Sequence, residues 1–322
     1  MRAGARGRAN DVAEIYCLEL VHPVEKGAIH LFFLAAFGAA FGYALQFSLM
    51  ASFYRKMDTL MAIAYRGLSL GLSLLPLLLW VPQEQFGRIG ALWFLLPPLF
   101  LLTAAGDWTI ANTVRYLPIG IATALANGLI AIVAGLIGYF FFHEVLQVQQ
   151  MVVMGLIIAA VFLLGFLRSS GTLPREYNVR LGLLNAGLTG LFLAGGYGLV
   201  GGLSRTLHPF LVGYIWELGT GITALCFVWL RARAFKVGWS SLSAKEFIKL
   251  LVASSPTLIG TGLYAFSMTM GPLGLATAII STQMVFTTLL SRLLYHEKLS
   301  LAQWILLLFI CGLVIALRQV SG

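Results

Sequence analysis

Apolar residues in this chain neither alternate with polar ones nor mark a single helical stripe; they come in long runs with short polar breaks between them. A helix rises about 1.5 Å per residue, so about 20 such residues cross the roughly 30 Å hydrocarbon layer of a bilayer. Ten runs approach that length, at 29–50, 59–80, 91–112, 118–142, 149–167, 180–202, 209–230, 248–269, 273–293 and 301–318. In lipid a lone segment satisfies its own backbone only as a helix, so each run predicts a transmembrane helix. Only 168–179 and 231–247 are long enough to form loops of their own, and neither could hold a domain.

The pattern also repeats. Pro118-Ile-Gly-Ile-Ala-Thr-Ala-Leu125 returns as Pro272-Leu-Gly-Leu-Ala-Thr-Ala-Ile279, and His143-Glu144-Val-Leu146 returns as His296-Glu297-Lys-Leu299. The offsets are 154 and 153 residues, so one register runs through the chain with a single-residue slip. Such a register marks a duplication, with repeats at 28–168 and 169–322 behind a tail at 1–27. Each copy contains five spans, an odd number, so the second enters the membrane from the opposite face. The fold class is therefore an all-α polytopic membrane protein of ten transmembrane helices in two inverted five-helix repeats. Inverted repeats offer two nearly equivalent arrangements, one open to each side, which points to transport by alternating access.

Composition agrees with a lipid environment. Charged residues are 10% of the chain, against about a quarter in an ordinary soluble domain. The net charge of +9 suits Lys and Arg in loops beside lipid headgroups, so no nucleic-acid partner is expected. Residues 1–27 mix both signs of charge without an apolar core, which predicts a disordered tail and excludes the pattern of a cleavable signal peptide. Cys17, Cys226 and Cys311 have no metal spacing and predict free, buried thiols; no metal or other cofactor is expected. Taking the N-terminal face as side A, seven Lys and Arg gather there and thirteen on side B. The positive-inside rule then makes side B cytoplasmic.

Three ionisable side chains lie well inside spans: Arg66, Asp107 and Glu217. Charge is costly there, so each should face the bundle interior with a partner or water. Arg66 and Asp107 fall at similar depth on adjacent antiparallel spans, which predicts an ion pair. Glu217 is left without a cation. It is either a proton-coupling group, with Asp107 as the next candidate, or a protonated acid bonded to a neighbouring helix. Tyr43, Gln46, Tyr65, Trp108, Asn127, Tyr197, Tyr214, Trp216, Tyr264 and Gln283 stand in span interiors and, with the three charges, form the candidate substrate-binding set. Any one of them also fits core packing or an interfacial anchor. As a set they suit a small organic solute more than a bare ion. Gly38/Gly42, Gly67/Gly71 and Gly198/Gly202 are spaced to let helices approach closely. Glu144 and Glu297, at span ends, should cap the helices that follow them.

These motifs resemble those of the drug/metabolite transporter superfamily, specifically its EamA-type members, over residues 28 to 318. The resemblance rests on Arg115-Tyr-Leu-Pro118 and Gly271-Pro272 leading into the repeated segments, on the two His-Glu-x-Leu copies, and on Arg66 within Ala64-Tyr-Arg-Gly67. The family has Gly where His143 and His296 stand. The resemblance implies two five-span repeats with both termini in the cytoplasm, opposite to the orientation read from charge. The leading expectation is a secondary transporter of small organic molecules, an exporter of a metabolite or drug-like compound, in the bacterial inner membrane. Its partners would be a small-molecule substrate, the bilayer and protons as a candidate coupling ion, with the chain acting as a monomer or homodimer. A non-transporting scaffold or sensor is the alternative. No nucleotide-binding loop occurs, so ATP drive within this chain is not expected, and a membrane enzyme is disfavoured because no zinc-protease motif or paired catalytic groups at a span end occur.

Overall fold

The computed structural model describes residues 26–117, 119–168, 178–235, 242–295 and 300–321, so most of the tail and the second His-Glu-x-Leu copy lie outside the described residues. All regular structure there is helical: α1 Lys26–Lys56, α2 Thr59–Leu74, α3 Gln83–Leu92, α4 Leu96–Tyr116, α5 Ile119–Phe141, α6 Val148–Arg168, α7 Val179–Ser204, α8 Pro209–Phe235, α9 Ala244–Ser254, α10 Pro256–Met268, α11 Leu273–Ser281, α12 Gln283–Tyr295 and α13 Leu301–Ser321. Nine stretches of the described residues are long and apolar enough to cross a bilayer, and α6 adds a shorter one, Val148–Leu163.

Several predicted spans are compound, for physical reasons. The eighth breaks between α9 and α10 because Pro256 has no N–H to give the Val252 carbonyl. The Ser255 hydroxyl takes up that carbonyl at 2.9 Å. The third span is extended on both sides of 91–112, running over Gln83–Tyr116 through α3, a 3₁₀ turn and α4. The ninth breaks at Thr282 without a proline. There the Ser281 and Thr282 hydroxyls bond the carbonyls of Ala278 and Ile279, a local competition that disturbs the helical ladder.

Packing follows the inverted duplication. The first span (α1) packs on the eighth (α10), and the sixth (α7) packs on the third (α4), which is the same contact with the repeats exchanged. The second and seventh spans (α2, α8) pack on each other, as do the fourth and ninth (α5, α11) and the fifth and tenth (α6, α13). Helices that pair with their own copies in this way surround a pseudo-two-fold axis. The offset of 154 carries Gly67 onto Gly221, and these two residues touch: a Cβ on Gly67 would lie 2.5 Å from the Gly221 Cα. No side chain fits between the helices here, so α2 and α8 cross backbone to backbone at the axis. The other predicted glycine pairs also serve the seam between repeats: Gly42 faces the Gly260 backbone, Gly71 faces Leu218, and Gly198 faces Ile137.

Candidate functional site

Beside the Gly67–Gly221 crossing, α2 and α8 present the neighbouring charges to each other. Arg66 Nη1 donates to Asp107 Oδ2 at 2.8 Å, and Nη2 donates to Glu217 Oε2 at 3.0 Å. All three residues are buried. The expected Arg66–Asp107 pair is present, but Glu217 is not without a cation, contrary to the sequence reading. A guanidinium is a planar fork with five donors and can serve two carboxylates at once. The side chain therefore spans both the first-repeat helix α4 and the second-repeat helix α8. Counted as ions, the cluster holds one positive and two negative charges, an excess of one negative charge inside the bundle.

The network continues into the second repeat. Thr261 Oγ1 donates to Glu217 Oε1 at 2.6 Å, and the Tyr43 hydroxyl lies 3.4 Å from Thr261 Oγ1. Because Thr261 spends its proton on Glu217, Tyr43 is the donor in the second bond. Tyr197, Trp216 and Tyr264 form an aromatic group in mutual contact, with ring centroids 4.9–6.0 Å apart. Trp216 immediately precedes Glu217 on α8. Gln46 Nε2 donates to the Tyr54 hydroxyl at 3.1 Å. The buried Tyr264 hydroxyl, Arg66 Nε and Gln283 Nε2 have no hydrogen-bond partner among the described residues. Unmatched polar atoms of this kind are expensive unless water or a ligand meets them.

The other candidates separate clearly. Tyr43, Glu217, Asp107 and Arg66 share the network, and Trp216 and Tyr264 line it. Trp108 does not: its side chain faces outward and the residue is 43% exposed. Successive residues on a helix point about 100° apart, so an inward Asp107 turns Trp108 toward lipid. Tyr65 is displaced in the same way by Arg66 and packs edge-on against Phe247, 6.0 Å between centroids. Asn127 is buried on α5 but donates to the Thr123 carbonyl of its own helix. Tyr214 is half-buried on α8 outside the cluster's hydrogen bonds, while Gln283 is buried at the start of α12, next to the break at Thr282. Cys226 and Cys311 are free thiols, but on exposed faces rather than buried. Sequence reasoning missed Thr261 and Tyr54. A threonine hydroxyl in an apolar helix usually bonds its own backbone and so carries little signal, and Tyr54 stands beyond the 29–50 run from which the first span was read.

Glu144 is a helix cap, but of a different helix from the one expected. Its carboxylate accepts from the N–H groups of Leu273 (2.8 Å) and Gly274 (3.3 Å), the first turn of α11 in the other repeat. The helix that follows it, α6, uses Gln150 instead, whose Oε1 accepts from the Gln147 N–H. The chain turns at His143, the one described non-glycine residue with positive φ, at 51°. That left-handed backbone is the reason glycine suits this place in the related motif.

Nine described spans and a shorter tenth helix, in two inverted halves around a buried ionic cluster, define a polytopic membrane protein built by duplication. A model of the EamA-like transporter family matches residues 30–166 and again residues 180–318, so the chain belongs to that family, within the drug/metabolite transporter superfamily. Members of the family are transporters rather than enzymes. No curated protein sequence matches the chain. One solved structure, described only as "Crystal structure of protein", is similar over 92% of this chain and 99% of its own at 15% identity and a TM-score of 0.64, a likeness of fold.

Proposed function

We propose that this integral membrane protein is a secondary transporter that exports small organic molecules, with its two repeats, 28–168 and 169–322, rocking about the seam where Gly67 meets Gly221. The observation that carries the reading is the single Arg66 side chain joined to carboxylates of both repeats. A contact shared by two moving halves at the axis is accessible from either side in turn. The buried Tyr43, Tyr197, Trp216 and Tyr264 beside it favour a small organic solute with an apolar or aromatic body and a polar group. The excess negative charge favours a proton as coupling ion, taken up by Asp107 or Glu217, since an unbalanced charge in hydrocarbon is costly. The bacterial inner membrane is the proposed location, and a monomer or homodimer the working unit.

The test begins with thermal stabilisation of the purified protein across a metabolite library. A solute that stabilises it is then followed in proteoliposomes. Saturable movement of that solute, lost in Arg66→Ala, is the expected result. A protein that binds the solute but moves none of it would be a scaffold or sensor instead.

A further inference from the structure

On side A, the Glu144 carboxylate joins three helix ends from both repeats. It caps α11 through Leu273 and Gly274, and it takes Arg205 Nη2 at 2.6 Å. Arg205, which closes α7, also lies over the Phe142 ring at 4.6 Å. A carboxylate on a helix N-terminus and a guanidinium on a carboxylate are both charge-assisted contacts. The backbone is shaped to permit them. A Cβ on Gly138 would overlap Glu144 Oε2, and a Cβ on Gly274 would lie 3.2 Å from the Gly135 Cα, so α5 and α11 meet closely under the carboxylate. The offset of 154 carries Arg205 onto Ala51, which is buried and uncharged, and the Glu297 counterpart of Glu144 lies outside the described residues.

We infer that the Glu144–Arg205–α11 contact is a latch that holds side A shut, and that its release is the step that exposes the centre of the molecule to side A. Opening there must part the end of α5 from the start of α11 and the end of α7, and the bonds across that gap are made only while these ends are together. Contacts present in one of two states bias the equilibrium toward it by their full difference.

The inference rests on the alternating-access reading above, but its test needs no substrate. Cys17, Cys226 and Cys311 are replaced by Ser, and a single reporter is introduced as Met268→Cys or as Val114→Cys. Met268 is 1% exposed near Leu273 on side A, and Val114 is fully buried near the side-B end of α4. Labelling by a membrane-impermeant maleimide is timed with and without Glu144→Ala, and with Arg205→Gln as the milder variant that leaves the cap in place. Release should raise the Met268→Cys rate by about tenfold, within the usual range of coupling between sites, while Val114→Cys, buried with side A latched, stays slow. No rise at Met268, or a rise at both positions, would overturn the latch, since the second describes general loosening. Side-selective labelling in a protein that moves no solute would leave the latch standing and remove the transport reading alone.

Discussion

Asp107 and Thr261 stand 154 residues apart, each following a glycine, and occupy equivalent places in the two repeats. Asp107 accepts from Arg66; Thr261 donates to Glu217. One position carries charge and its copy does not. The same holds elsewhere, since the offset carries Arg66 onto Thr220 and Glu217 back onto Ile63. A duplication copied without change would bring like charges together at the axis, where the dielectric is low and repulsion strong. The chain keeps the helix crossings of the duplication and divides the chemistry: one cation in the first repeat, with one acid contributed by each half.

The severest way to break this division is to remove its only cation. Arg66→Ala leaves two buried carboxylates facing each other and should cost about 3–5 kcal/mol, the usual price of breaking a buried pair. Thermal unfolding in detergent would register this, and Arg66→Ala combined with Asp107→Asn and Glu217→Gln should recover part of the loss. Additive losses would mean that the three groups do not act as one cluster.

Making the repeats alike at the compared position is milder. Asp107→Thr leaves Arg66 and Glu217 as a balanced pair, and should cost about 1.5–3 kcal/mol, the worth of a hydrogen bond to a charged group. It also removes the excess negative charge, so solute movement should lose its dependence on a pH gradient while the protein stays folded. Retained dependence would leave Glu217 as the group that takes up the proton.

A smaller effect of opposite sign is expected at His143. With φ at 51°, the side chain occupies a left-handed backbone, so His143→Gly should stabilise the protein by about 1 kcal/mol. A lower melting temperature would show that the imidazole has a role outweighing the strain.

The smallest effect belongs to an ion pair that also joins the repeats, but at the surface. Asp58 caps α2 through the Met61 N–H and meets Arg231 at 2.9 Å, with both side chains about a third exposed. Partial burial pushes the Asp58 carboxyl up, but Arg231 and the Met61 N–H outweigh it and hold the group below the usual carboxylate range. A lowered folded-state pKa contributes stability above the unfolded value and loses it as pH falls through the folded one. Asp58→Asn should therefore lower the melting temperature slightly near neutrality and flatten the acid limb of its pH profile, the two proteins converging at low pH. A large change at neutral pH would show that the exposed pair matters as much as the buried one.

Much of this was legible in the residues. Run lengths located the spans, the repeated Pro-x-Gly-x-Ala-Thr-Ala segment disclosed the duplication, and matched depth paired Arg66 with Asp107. The second partner, Glu217, was not legible, because hydropathy says nothing about which spans of opposite repeats touch. That depends on Gly67 meeting Gly221, which is visible only once the offset is applied to positions outside the motifs. Trp108 and Tyr65 were misplaced because depth along a span does not give the facing direction. Glu144 was assigned to the nearest helix in sequence, whereas the turn at His143 directs it to a helix start 129 residues away.

Under the proposal above, the Arg66–Asp107–Glu217 cluster couples a proton to solute movement. Proton entry into liposomes, read with a pH-sensitive dye while a stabilising solute moves down its gradient, tests it most directly. Wild-type protein should move protons in exchange for the solute, and Glu217→Gln, which keeps shape and hydrogen bonding but cannot release a proton, should move the solute without them. Normal coupling in Glu217→Gln would contradict the account.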